Sequence, residues 1–297
     1  MNRCIRKFLS VLLIMTIVIA AVLPAAASAD ADMRRAVVGA DLTEEQIESV
    51  YQLLGIRRGD VQELRLSNAE EHAALDGYLD QAIIGTKSMS CVLLELMPQN
   101  SGISVNVQNV SWCTPEMYRS ALVTAGLTDA RITVAAPFPV SGTAALAGIY
   151  KAYEDMTGQK LDTAAKDVST RELTVTGELA NEIGSSDSTS IVNELKQILN
   201  ETVSMSDEEL HARIRKIASG YGVNLTESQV RRLAELCRSM EKLNPDALTQ
   251  RADDIQSTLE KVSEAKDQVV GFMQTMKQFF QSIRDFFDRV ASLFVGR

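Results

Sequence analysis

Apolar residues recur at helical spacing behind helix-start signals along much of the chain. A capping box at Thr43–Gln46 precedes an apolar stripe of helical period that ends before Gly55. A second helix is predicted to begin with Thr114 as its cap and Pro115 in its first turn, and to stop at Gly126. The same reasoning predicts a helix over residues 143–157 and further helices after the capping boxes Ser206–Glu209 and Thr226–Gln229.

Three segments have the length and composition of β-strands. Residues 88–97 form a compact apolar run, and residues 103–107 alternate between apolar and polar side chains. Because Pro98–Gly102 between them has turn chemistry, the two segments predict an antiparallel hairpin. Residues 131–135 read as a third strand. The resulting order, roughly α-β-β-α-β-α, predicts a small mixed α+β domain followed by an all-α region.

These patterns divide the chain into four parts. Residues 1–29 read as a signal peptide, and residues 30–160 form the α+β domain. Residues 161–245 carry helix signals and few strand signals, and Gly184–Ser188 is the most flexible joint that their composition suggests. Residues 246–297 form a C-terminal amphipathic helical segment.

The C-terminal segment carries a broad apolar face with a seven-residue repeat. Two interpretations remain open: packing against a preceding helix, a second copy or another envelope protein, and binding to a membrane surface. Mixed charges on the polar face favour packing, because a helix dedicated to lipid binding is more basic. The predicted interaction face consists of Phe279, Phe280, Ile283, Phe286, Phe287, Val290 and Phe294.

The N-terminus has the three regions of a secretory signal. Arg3, Arg6 and Lys7 precede an apolar run that is shorter than the roughly 20 residues a membrane-spanning helix needs. Small residues at Ala27 and Ala29 then predict cleavage before residue 30. The sequence therefore predicts an extracytoplasmic protein, either secreted or associated with the cell envelope.

Charge and cysteine usage narrow the possible partners. The first 29 residues hold three basic residues, which leaves 27 basic against 39 acidic residues after cleavage and argues against nucleic acid as a partner. Cys91, Cys113 and Cys237 then remain. Cys91 and Cys113 would face each other only if the hairpin centred near Gly102, so buried free thiols are favoured over a disulfide.

The chain shows no catalytic or metal-binding motif. Its two histidines, His72 and His211, form no cluster with zinc spacing, so neither a metal nor a cofactor is predicted. Ser141, Gly142 and Thr143 precede a helix and are the one candidate for a nucleophile (Ser141) or an anion nest. The simpler interpretation is that Ser141 and Thr143 cap that helix.

Acidic residues between 70 and 80 could also be read as acid–base groups. Glu70 and Glu71, with Asp76 and Asp80, look instead like the solvated face of a helix. His72 beside them is more often a surface histidine than a general base. Catalysis is therefore the less favoured class of function.

Several stretches together resemble a known family. They are Gly39–Thr43, Asn68–Glu71, Ile84–Ser88, Ala121–Gly126 and, most specifically, Ala135–Leu146 with the sequence APFPVSGTAAL inside it. In this order they are similar to the YpuA-like family of exported proteins, domain of unknown function 1002, found mainly in Firmicutes. The resemblance implies a Gram-positive, extracytoplasmic location and supplies no catalytic residues.

Taken together, the patterns favour a non-catalytic binding or interaction protein of the cell envelope. A cell-wall-directed hydrolase or transferase, acting through Ser141 or the Glu70–Glu71 region, is one alternative. A peripheral membrane protein held by its C-terminal helix is the other.

Overall fold

A computed structural model describes residues 33–252 of the protein. The five strands of this part form one sheet in the order β2-β1-β3-β5-β4. β1 pairs with β2 and β4 with β5 in parallel, while the central β3 is antiparallel to both of its neighbours. The strands are β1 (Arg34–Gly39), β2 (Gln62–Leu66), β3 (Cys91–Leu96), β4 (Ile103–Val110) and β5 (Ala130–Val140).

Ten helices and the loops between them make up most of the rest of the described chain, which confirms a mixed α+β fold. Residues 245–252, which end the described part, are also helical. The helices are α1 (Glu44–Leu54), α2 (Asn68–Leu75), α3 (Gln81–Ile84), α4 (Pro115–Ala125), α5 (Thr143–Thr157), α6 (Thr163–Ile183), α7 (Ser185–Gln197), α8 (Leu199–Thr202), α9 (Asp207–Gly220) and α10 (Glu227–Glu241).

Local cap chemistry sets the helix boundaries as predicted. At α1 the Thr43 hydroxyl accepts from the Gln46 backbone N–H while the Gln46 side chain accepts from the Thr43 backbone N–H. Gly55 then ends α1 in the left-handed region, and Gly126 ends α4 in the same way. The capping boxes predicted for α9 and α10 are also present.

The predicted hairpin of β3 and β4 is wrong. The turn between them does reverse the chain, but β5 lies between the two strands in the sheet. β5 has a long buried stretch suited to a central position, whereas β4 alternates and is suited to an edge. α4 forms the crossover that makes β4 and β5 parallel neighbours.

The predicted element order was also incomplete, because it lacked the strands β1 and β2 and the short helices α2 and α3. β1 offers a buried apolar run of only three residues, Ala36–Val38, which is too short for a periodic signal. β2 is an edge strand with one fully buried side chain, Leu66, and its sequence reads as polar. Both strands exist because β1 pairs on both sides and α1 connects it to β2.

The sheet brings distant segments into close contact. On one face, a core of α1, β1 and β3 includes Ile47 and Leu93. Against the other face, Gly148 of α5 lies so close to β1 that an added Cβ would be 3.4 Å from Val37. At the end of β1, an added Cβ on Gly39 would lie 2.2 Å from the Ser88 carbonyl oxygen, so only glycine fits there.

The helical part has a hydrophobic core of its own, built from α6 to α10. Gly184 separates α6 from α7, and α6 packs on α4 beside the sheet. A buried ion pair between Lys196 on α7 and Glu172 on α6 lies at this junction. Among residues 33–252, none of the helices is both long and apolar enough to cross a membrane.

Candidate functional site

A cavity of about 460 Å³ opens beside the sheet, and its walls come from segments far apart in sequence. α2, α3 and the loop that follows them form one side, and the start of α5 forms another. We call it the Glu71 cavity. Its lining residues are Glu71, Ala82, Ile83, Ile84, Gly85, Thr86, Lys87, Met89, Ser90, Trp112, Val140, Ser141, Gly142 and Ala144.

Ser141 and Gly142 lie in the wall of this cavity, and Thr143 directly follows them. Gly142, at φ +94°, is the N-cap residue of α5 and makes no side-chain cap bond, so the predicted capping by Ser141 and Thr143 is wrong. Thr143 begins the helix, and its hydroxyl donates to Glu71 Oε1 at 2.8 Å. Ser141 Oγ lies 3.2 Å from Thr143 Oγ1. The negative charge at this helix start therefore comes from the chain itself, and we expect an anionic ligand to be disfavoured here.

Glu71 is buried, with 1% of its surface exposed, so the prediction of a solvated face is wrong for this residue. The capping box of α2 explains the orientation, because Glu70 turns back to the Ser67 N–H and Glu71 points inward. Burial raises the pKa of Glu71 to about 6, and hydrogen bonds from Thr143 and Asn68 oppose that shift. Within residues 33–252, no basic side chain forms an ion pair with Glu71.

His72 links α2 to the loop that follows α3 in the cavity wall. Its Nδ1 lies 2.8 Å from Asp76 Oδ1, and its Nε2 lies 3.0 Å from the Gly85 carbonyl oxygen. The bond with Asp76 raises the pKa of His72 above its usual value. Because both ring nitrogens are engaged, His72 holds the loop after α3 against α2 and is not arranged as a general base for Ser141.

Trp112 lines the cavity but belongs to none of the sites predicted from the sequence, although it is the only tryptophan of the chain. Its indole ring packs on α6, where a Cβ added to Gly177 would lie 2.2 Å from it. The indole N–H is buried and has no hydrogen-bond partner among residues 33–252. A single tryptophan was the available signal, but its sequence neighbours do not show that it lines a cavity.

The cysteines play no part in this site's chemistry. Cys91, Cys113 and Cys237 are all buried free thiols, which confirms the preference for free thiols over a disulfide. Burial raises the pKa of Cys91 and of Cys113 to about 12 and that of Cys237 to about 11, so none is a ready nucleophile. Within residues 33–252, no cluster of three or more His, Cys, Asp or Glu side chains is arranged to hold a metal ion.

The remaining predicted sites fall outside the described residues. They are the signal-cleavage positions Ala27 and Ala29 and the apolar face from Phe279 to Phe294.

The burial of Glu71 predicts a pH-dependent contribution to stability. Its pKa rises from 4.5 to about 6 on folding, so the folded state binds the proton more tightly. The protein therefore gains stability as pH falls through this window, by about 2 kcal/mol at full protonation. We expect urea unfolding to show that lowering the pH from 7 to 4 stabilises the wild type relative to Glu71→Gln by about 2 kcal/mol.

Glu70→Gln is the matched control, with the opposite sign. The hydrogen bond from Lys151 lowers the pKa of Glu70 to about 2, so its contribution is present at neutral pH and is lost as pH falls below 4.5. The stability difference between the wild type and Glu70→Gln should therefore shrink with acid. The raised pKa of His72 affects stability at a higher pH than the pKa of either glutamate does. Parallel pH curves for the two variants would contradict the assignment of a buried Glu71.

The sheet, the helices packed beside it and the Glu71 cavity define a mixed α+β protein whose cavity wall contains Trp112. Comparison with known proteins gives its family. The chain belongs to the family described as "Protein of unknown function (DUF1002)", whose model matches residues 38–262. It is similar to the "Uncharacterized protein YpuA" of Bacillus subtilis (strain 168), with 32% identity over 269 residues, covering 89% of this chain and 90% of that protein. The resemblance to the YpuA-like family is thereby confirmed. No solved structure matches the chain.

Proposed function

We propose that this protein is an exported, extracytoplasmic protein of the cell envelope that binds a small ligand in the Glu71 cavity without transforming it. One observation carries the proposal: a buried carboxylate without a basic partner among residues 33–252 lines an open cavity. Burying a charge without a partner is costly, so such groups cluster at functional sites. The basic and apolar regions of residues 1–29 support export.

The geometry favours binding over catalysis. A serine nucleophile needs a base within hydrogen-bond reach, and Ser141 Oγ contacts the Thr143 hydroxyl rather than a base. The Thr143 hydroxyl lies between Ser141 and Glu71, so Glu71 does not contact Ser141 directly. The two ring nitrogens of His72 are hydrogen-bonded to Asp76 and to the Gly85 carbonyl oxygen. The chain of two hydroxyls ending at a carboxylate is the one observation that favours a hydrolase as the second candidate.

A single experiment separates the two candidates. The chain from residue 30 onward is incubated with fractions of small molecules from envelope extract while Trp112 fluorescence is recorded, and bound molecules are identified by mass spectrometry. We expect a fraction that changes Trp112 emission saturably and is recovered intact. Turnover that is abolished in Ser141→Ala would instead establish the hydrolase, and no response from any fraction would remove the binding proposal.

The interaction part of the proposal concerns the C-terminal segment. The seven-residue repeat of the face from Phe279 to Phe294 supports self-association or docking to an envelope protein. In this arrangement the segment positions the protein, and the cavity binds the ligand.

A further inference from the structure

We propose that the Glu71 cavity binds a small zwitterion, namely a free amino acid or short peptide that carries both an ammonium and a carboxylate group. The inference rests on the proposed function and names the chemical class of its ligand. It is carried by two opposite charges in the cavity lining, those of Glu71 and Lys87.

Glu71 provides the site for the ammonium group. Its carboxylate accepts from two neutral donors, the Thr143 hydroxyl at 2.8 Å and the Asn68 amide at 3.5 Å. A carboxylate offers about four lone-pair positions, so it can accept further hydrogen bonds. A ligand ammonium would supply the missing positive charge in a charge-assisted hydrogen bond. A neutral sugar would leave the buried charge uncompensated, and an anion would be repelled by it.

Lys87 provides the site for the carboxylate group. Lys87 is exposed, lines the cavity and forms no ion pair with another of residues 33–252. The Trp112 side chain belongs to the same lining, so its fluorescence reports binding in the cavity. The Lys87 ammonium can donate charge-assisted hydrogen bonds to a ligand carboxylate and balance its negative charge.

The remaining wall suits an apolar side chain. Ile83, Ile84, Met89 and Val140 contribute apolar surface to the same lining. Ligand sites are typically apolar with a few polar groups that fix orientation, and this lining follows that pattern.

Four probes test the assignment through Trp112 fluorescence and isothermal titration calorimetry. L-alanyl-L-leucine carries both charges, its N-acetyl derivative lacks the ammonium, its C-terminal amide lacks the carboxylate, and glucose is neutral. We expect saturable binding of the dipeptide, about 10- to 100-fold weaker binding of either blocked derivative, and no response to glucose.

Three variants locate the two charges. Glu71→Gln should weaken dipeptide binding by about 10- to 100-fold, while Glu70→Gln, the exposed neighbour, should bind as the wild type does. Lys87→Met should weaken the dipeptide and leave the amide unchanged. Because Lys87 is exposed, its variant keeps the test valid even if Glu71→Gln fails to fold.

Three results would overturn the inference. Equal binding of the dipeptide and both blocked derivatives, or binding of glucose alone, would exclude recognition of the two charges. If all four probes fail while an envelope fraction still changes Trp112 emission, the zwitterion assignment falls and the proposed function stands. If no envelope fraction acts either, both fall.

Discussion

Replacing Lys196 with methionine is expected to destabilise the protein by about 3–5 kcal/mol. Lys196 Nζ lies 2.6 Å from Glu172 Oε1, and both side chains are 1% exposed. Nζ also donates to the carbonyl and hydroxyl oxygens of Ser120, and Thr124 Oγ1 donates to the second oxygen of Glu172. The Lys196→Met change leaves the Glu172 carboxylate buried with hydroxyl donors only, and these do not neutralise its charge.

The loss of stability should be centred on the junction of α4, α6 and α7, because the network joins all three helices. Ser120 and Thr124 lie on α4, Glu172 lies on α6 and Lys196 lies on α7. Burial lowers the pKa of Lys196, and the charge of Glu172 opposes that shift. A double variant, Lys196→Met with Glu172→Leu, removes both charges and should recover most of the lost stability. The coupling energy from the cycle of single and double variants, measured by urea unfolding, reports the pair directly.

Lys160→Met is the matched control for Lys196→Met. Lys160 also pairs with a glutamate, Glu154, but its side chain is 85% exposed. We expect its replacement to change stability by no more than about 0.5 kcal/mol. Equal effects of the two lysine variants would show that Lys196 does not hold a buried charge.

Replacing Gly142 with alanine is the second change with a large expected effect, about 3 kcal/mol of destabilisation. Gly142 has φ +94°, which an L-residue rarely adopts. An added Cβ would lie 2.5 Å from Val110 Cγ1 and 2.6 Å from the Tyr118 hydroxyl oxygen. Tyr118 cannot move away freely, because it is fully buried and its hydroxyl donates to the Gly142 carbonyl oxygen at 2.5 Å.

Gly158→Ala separates backbone strain from steric overlap. Gly158 ends α5 with φ +66°, and a Cβ added there would meet nothing within 4 Å. Its replacement should therefore cost only the backbone term, about 1 kcal/mol. Thermal unfolding of both variants measures the difference, and a Gly142→Ala protein as stable as Gly158→Ala would contradict the close packing described for the cavity wall.

Helix boundaries were predictable because their causes are local. The capping boxes at Thr43 and Thr226 and the terminal glycines at Gly55 and Gly126 act within one helical turn, and each occurs in the structure as the sequence indicates. The strands β3 and β5 were predictable for a similar reason, since β3 is mostly apolar and the start of β5, with the sequence ARITVA, is rich in β-branched residues.

Strand pairing was not predictable from the same signals. A turn such as Pro98–Gly102 reverses the chain, but the position of a strand within the sheet depends on whether it buries both of its faces. β5 comes after α4 in sequence and yet lies between β3 and β4 in the sheet. β2 shows the converse problem, because its sequence is polar and it forms only by pairing with β1 at the edge.

The sequence alone determined the α+β class, the starts of the capped helices α1, α4, α9 and α10 and the family resemblance, and it favoured free thiols, because these follow from local chemistry and composition. Only the tertiary structure decided that Glu71 is buried while Glu70 is exposed, and that Trp112, Lys87 and Ser141 line one cavity. Charge and solvation of a side chain depend on segments that lie up to about seventy residues away, as Thr143 does from Glu71. A local pattern carries no information about such neighbours, so the site emerged only when the sheet brought them together.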